Sequence, residues 1–165
     1  MIIAVSACLL GEKCKYSGGD NRDPAVEAFC AGHETLPVCP EVAGGLPVPR
    51  VSAEIGAGGR VRTRDGRDVT EAFARGAEAC VRRCRERGAA LAVLQPRSPS
   101  CGIGRVYDGS FSGRLVPGDG LFAQALRREG IPCIPADAVG AYGSPEAAAG
   151  GKPPGKEPGS PGDSE

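Results

Sequence analysis

The sequence predicts an α/β fold, a three-layer arrangement with a mainly parallel sheet flanked by helices and carrying short β-hairpin insertions. Two observations carry this expectation. Short apolar runs, Ile2–Ser6, Thr35–Val38, Ala89–Leu94 and Ile131–Ile134, alternate with segments of helical period, and no internal repeat is present. The runs also lack the polar alternation of half-exposed strands, as expected where a parallel sheet is covered on both faces.

Each element has a local reason. Ile2–Ser6 is a strand that delivers Cys8 and Cys14 into a Gly-containing loop. Asp23 and Pro24 cap and start a helix to Cys30, and Gly32 lies past its end. Thr35–Val38 is a second buried strand ending at Cys39. The run from Pro40 to Arg50 holds three prolines, Pro40, Pro47 and Pro49, and two glycines, so it is expected as an ordered loop rather than strand or helix. Arg60–Arg64 and Arg67–Val69 flank Asp65-Gly66, a hairpin signal. Asp68 and Glu71 have capping-box spacing for a helix to about Arg87, with Phe73, Ala77, Cys80, Val81 and Cys84 on one face and Gly88 as its stop. Ala89–Leu94 is a strand emptying into Pro96–Gly102. A second hairpin is expected across Ile103–Val116, turning at Asp108-Gly109 or Ser112-Gly113. Asp119 is expected to cap a helix through Glu129, stopped by Gly130, before the last short strand.

With 165 residues the expectation is one domain over 1–139, large enough for a core without disulfides. Residues 140–165 draw 12 of their 26 positions from Gly and Pro and are expected to form a disordered tail. The formal net charge is zero, which gives no electrostatic case for a nucleic acid or an anionic membrane partner. Aromatic residues are few and Trp is absent, which also argues against a platform for stacked bases. Val5-Ser-Ala-Cys8 resembles a lipoprotein cleavage box, but no basic region and no longer apolar stretch precede it, and no other run approaches membrane-spanning length. The expectation is a cytoplasmic chain whose eight cysteines serve metal binding or catalysis before disulfides.

Cys8, Cys39 and Cys101 all lie just beyond expected strand ends, where open α/β sheets place their chemistry. Cys80 and Cys84 share the apolar stripe of their helix and read as small buried hydrophobes, as do Cys30 and Cys133. Cys14 stays open, either a ligand or a supporting thiol. Structural zinc takes four ligands, usually in close pairs; no Cys-x-x-Cys pair occurs, and the one histidine, His33, reads as a surface residue. Iron–sulfur clusters accept thiolates from distant loops, and a cubane held by three leaves one iron open as a Lewis acid. Gly11, Gly44, Gly45 and Gly102 read as sites of close backbone approach to such a cluster rather than as a phosphate cradle.

Five blocks then carry a family resemblance: Val5–Tyr16, Val38–Arg50, Asp65–Phe73, Ser98–Gly102, and Tyr107–Gly113 followed by Val116–Gly120. In order and content they resemble the thiouracil desulfidase family, formerly a domain of unknown function, over Ile2 to about Ala136. The resemblance implies an iron–sulfur enzyme with a [4Fe-4S] cluster on Cys8, Cys39 and Cys101. Its implied reaction is a non-redox, hydrolytic desulfuration of a thiolated pyrimidine such as 2-thiouracil, turning C=S into C=O and releasing sulfide through the open iron. Glu41, Ser100 and, third, Ser98 are the expected acid/base candidates; each also has a plain reading as a turn cap or a hydrogen bond to the cluster sulfurs. The chain departs from the family pattern at Gln95-Pro96, where a Lys precedes the Ser-Pro-Ser-Cys block, and at Ser17, where an acidic residue is common. Arg50 and Arg97 are candidate compensating donors, or solvated surface residues. The expected partner is a small thiolated nucleobase, with no nucleic acid or membrane; the oligomeric state is not legible. The competing expectation is a non-enzymatic iron–sulfur or thiol sensor, or a sulfide carrier, built on the same cysteines.

Overall fold

The computed structural model describes residues 1–150. Its centre is a parallel sheet in the order β2-β1-β5-β8, from β1 (Ile2–Ser6), β2 (Glu34–Val38), β5 (Ala89–Leu94) and β8 (Cys133–Pro135). The chain leaves β1 toward one edge and returns through β5 toward the other. The strand order therefore reverses between β1 and β5, and their carboxyl ends open the crevice where such sheets bind ligands.

Alternate residues of the strands feed two cores. Ala4, Leu36, Val38, Ala92 and Leu94 face one side with buried residues of α3 (Thr70–Arg87) and α4 (Leu121–Arg128). Ile3, Val5, Leu91 and Val93 face the other, where Val26 of α1 (Pro24–Phe29), Val139 of α5 (Val139–Tyr142) and Ala148 of α6 (Pro145–Ala149) cover them. Three layers result, as the continuous apolar runs require. Two antiparallel pairs stand apart from the main sheet: β3 (Ala53–Ile55) with β4 (Val61–Thr63), and β6 (Arg105–Tyr107) with β7 (Leu115–Pro117).

The expected elements are present, with instructive differences. Asp23 caps α1 as expected, its Oδ1 accepting from the amides of Ala25 and Val26 at 3.0 and 3.3 Å. Pro40–Ala43 is a one-turn helix, α2, not loop, because proline is tolerated at the first helical position. Asp65-Gly66 does turn the chain, but β4 pairs chiefly with β3, and the expected return strand contributes only an isolated bridge between Arg62 and Asp68. No capping box forms at α3: Asp68 Oδ1 accepts from the Thr70 amide at 3.0 Å, and the Thr70 hydroxyl instead accepts from Val61 N at 2.9 Å, tying the helix to β4. The N-cap of α4 is Gly120 rather than Asp119, whose Oδ1 accepts from Gly104 N at 2.7 Å. His33 is not a free surface residue, since its Nε2 lies 3.2 Å from Glu146.

The tail expectation needs a larger correction. Residues 140–150, although rich in Gly, continue through α5 and α6, and Ala148 is buried in the second core. Ser144 caps α6 by accepting from Ala147 N at 3.2 Å. The remaining expected tail, 151–165, lies outside the described residues. Among the described residues no helix is long and apolar enough to cross a membrane. Cys80 and Cys84 are fully buried in the first core and Cys30 in the second, and Cys133 packs at the margin of the first.

Candidate active site

Three chain reversals bring the cysteines together. The strand β1 ends at Ser6, whose hydroxyl accepts from Gln95 N at 2.9 Å, so the ends of β1 and β5 are stitched side by side. From there a 3-10 turn carries Cys8, the end of β2 carries Cys39, and the loop after β5 carries Cys101. Cys8, Cys39 and Cys101 line one cavity of about 470 Å³, together with Cys14, Glu41, Ser98 and Ser100. Every site residue expected from the sequence is in this set.

The Ser98–Cys101 loop is held from beneath by α4. The amides of Leu121 and Phe122 donate to Pro99 O and Ser100 O, both at 2.9 Å, so the loop's carbonyls cap the helix. Gly120 makes this possible: a Cβ there would lie 2.4 Å from the Ser100 carbonyl. Within the loop, the Ser98 hydroxyl accepts from Cys101 N at 2.7 Å, which fixes the direction of the Cys101 side chain. Ser98 thus shapes the turn, the plainer of its two expected roles.

The α2 turn delivers the acidic group. Cys39 stands at its N-cap and Glu41 in its first turn. The helix lies directly on α3 through two glycines: a Cβ on Gly44 would lie 2.0 Å from Ala72 O, and one on Gly76 1.7 Å from Pro40 O. Gly44 therefore serves helix packing rather than the close approach of a cluster. Gly102 is likewise spent on its own loop, where a Cβ would lie 2.7 Å from Ser98 O.

Glu41 divides its oxygens between two partners. Ser100 Oγ donates to Oε2 at 2.8 Å and Arg50 Nε donates to Oε1 at 3.1 Å. Arg50 has a side chain only 7% exposed and also donates to Cys14 O at 2.9 Å and Pro47 O at 3.2 Å. It is neither a surface residue nor a free donor for a substrate. Arg97 lines the cavity but is exposed, with a backbone φ of 67°.

Burial governs the thiols of Cys8, Cys14 and Cys101. It raises the pKa of Cys101, against opposing hydrogen bonds from Ser6 and Ser100. Cys8 is also raised by burial, opposed by Asn21, whose Nδ2 donates to Cys8 Sγ at 3.5 Å. Cys14 is pushed up to about 12 by burial and by neighbouring Cys39. A metal held by Cys8 or Cys101 would displace the protons that burial keeps on those thiols. Among the described residues no three His, Cys, Asp or Glu gather closely enough to hold a single metal ion. Cys8, Cys39 and Cys101 each line the same cavity, where a polynuclear group could be reached by each thiol at a different iron. An all-sulfur donor set is also the set such clusters take.

Sequence reading missed Asn21, Glu54 and Phe111. Asn21 had no signal beyond its polar character near the Cys14 loop. The other two reach the cavity through the small sheets that carry them; Phe111 lay in a recognised block, but nothing in the sequence places it at the cavity.

Known proteins give a concordant result. A solved structure of a [4Fe-4S]-dependent thiouracil desulfidase, TudS, superposes with a TM-score of 0.77 at 44% identity, covering 82% of this chain and 91% of that one. An uncharacterised Bacillus subtilis (strain 168) protein, YbbK, is 34% identical over 142 residues, 81% of this chain and 94% of its own length. The sequence profile of one family, 2-thiouracil desulfurase, matches residues 3–138, nearly the span from Ile2 to about Ala136 over which the sequence carries the resemblance. The chain belongs to the 2-thiouracil desulfurase family.

Proposed function

We propose that the protein is a [4Fe-4S]-dependent desulfidase that hydrolyses the C=S group of a thiolated pyrimidine to C=O and releases sulfide. The observation that carries this reading is the convergence of Cys8, Cys39 and Cys101 with the Glu41–Ser100 pair on one cavity. Cys8, Cys39 and Cys101 would hold the cluster, with Cys14 beside them, its carbonyl accepting from Arg50 at 2.9 Å. When bound through three thiolates, the cluster supplies an open iron that acts as a Lewis acid toward the substrate sulfur.

The chain's own residues do the remaining work. Glu41 Oε2 accepts the proton of the attacking water, and Ser100, hydrogen-bonded to that oxygen at 2.8 Å, orients water and carboxylate together. Arg50 occupies Oε1, so only the Ser100 side of the carboxylate is left for proton transfer. Ser98 holds the Cys101 loop, and Asn21 orients Cys8.

The deciding experiment is anaerobic reconstitution with iron and sulfide, then iron and acid-labile sulfide counts and 2-thiouracil turnover for wild type and Cys101→Ser. Near four irons per chain, with sulfide release that Cys101→Ser abolishes, is the expected result. A chain that takes up zinc alone, or no metal, refutes the mechanism. Full iron loading without turnover favours the sensor or sulfide-carrier reading.

A further inference from the structure

The chain has only seven Phe and Tyr residues and no Trp, yet three of them, Tyr16, Tyr107 and Phe111, line the cavity that holds the thiols. The scarcity that argued against a stacking platform conceals a local concentration. Phe111 is the most tightly specified of the three. Its backbone sits at φ 57°, a left-handed conformation that bulky residues rarely adopt and that persists only where the surroundings over-determine it.

The surroundings do so through Glu54 of β3. One oxygen of its carboxylate, Oε1, accepts from both Gly109 N at 3.0 Å and Phe111 N at 3.1 Å. The turn is also pressed against the end of β3, because a Cβ on Gly109 would lie 2.6 Å from Gly56 Cα. Arg64 of the β4 side then places its guanidinium carbon 5.4 Å from the centre of the Phe111 ring, covering a ring face. A half-buried carboxylate, a strained backbone and a cation thus all serve to hold one aromatic ring at the wall of the site. A plain core residue needs none of them.

We infer that Phe111 is the stacking surface for the substrate heterocycle, with Glu54 as the residue that positions it. This rests on the desulfidase reading and deepens it: the site selects planar, unsaturated rings and turns away acyclic or saturated thioamides of equal size. Stacking on one aromatic face is a binding contribution made before and during the reaction alike, so its loss moves KM more than kcat.

The test uses the reconstituted full-length chain. Phe111→Leu keeps apolar volume and removes the π-face; it is expected to raise KM for 2-thiouracil about tenfold, the scale of one base–aromatic contact, with iron content unchanged. Phe111→Tyr should restore the wild-type KM, and Glu54→Gln should raise KM in the same direction while adding little on top of Phe111→Leu. Phe111→Trp supplies the chain's sole tryptophan, whose emission should be quenched by uracil. A wild-type KM for Phe111→Leu, or unquenched Phe111→Trp emission at saturating uracil, overturns the inference. Absent turnover in the wild type sinks the desulfidase reading alone, since tryptophan quenching by uracil still reports whether a ring stacks there.

Discussion

Arg50 and Glu41 are joined across the floor of the site, guanidinium Nε to carboxylate Oε1 at 3.1 Å, with both side chains largely withdrawn from water. The same guanidinium reaches the carbonyl of Cys14, so one side chain ties the acidic residue after β2 to the cysteine loop after β1. Removing it leaves a buried carboxylate and a buried carbonyl short of their donor.

Arg50→Ala is expected to lower kcat by one to two orders of magnitude while iron loading survives, because the proposed ligands, Cys8, Cys39 and Cys101, are left in place. Lys cannot reproduce a planar fork with three separate acceptors, so Arg50→Lys should recover little. Added guanidinium should restore part of the Arg50→Ala rate. Steady-state kinetics with and without guanidinium checks this; wild-type kcat in Arg50→Ala would remove Arg50 from the mechanism.

Glu41→Gln preserves the size of the side chain and its acceptor toward Ser100 but removes the base. Turnover should fall about 10²- to 10⁴-fold, the range for positioned proton transfer, at unchanged iron content. Ser100→Ala should cost less, about tenfold to a hundredfold, since it removes the orienting hydroxyl and not the proton acceptor. Single-turnover sulfide release under anaerobic conditions separates the two.

Gly76→Ala sets two effects against each other. Alanine favours a helix interior by about 1 kcal/mol over glycine. Its Cβ would, however, lie 1.7 Å from the Pro40 carbonyl, a backbone atom that cannot rotate away. The clash should win, with a net loss of about 1–3 kcal/mol by urea unfolding. Since α2 must shift to relieve it, Glu41 shifts too, and activity should fall further than stability explains.

Burial pushes the Cys30 and Cys84 thiols up to about 11 from an ordinary 9.0. A raised folded-state pKa contributes stability that is complete below pH 9 and is lost as pH climbs through about 11, because only the unfolded chain ionises these thiols early. Unfolding midpoints under reductant should therefore drop between pH 8 and pH 10.5. Replacing both cysteines by Ala should lower the midpoint at pH 8 and flatten its fall with pH; an equally steep fall would assign the effect to other groups.

Much of the fold was legible because it rests on local chemistry. Continuous apolar runs specified β1, β2 and β5, and Asp23-Pro24 specified the start of α1. The cysteines, Glu41 and the two serines were legible because strand ends and short spacing fix where they fall. What escaped was tertiary. β3 is three residues long and exists only through β4, while Gly120 displaced Asp119 as a cap because the neighbouring loop leaves no room for a Cβ. Residues 140–150 were misjudged on composition, since a Gly-rich segment can still bury Ala148 when a waiting surface is apolar. Arg50 was undecidable without the fold, because its acceptors come from residues 9 and 36 positions away as well as from its own loop.

The capping of α4 by the carbonyls of Pro99 and Ser100 also bears on the site. Because the loop of Cys101 completes the hydrogen bonding of a core helix, its shape is tied to the packing of that helix. A change in the first turn of α4 therefore reaches the Cys101 turn directly, through the amides of Leu121 and Phe122 that hold its carbonyls.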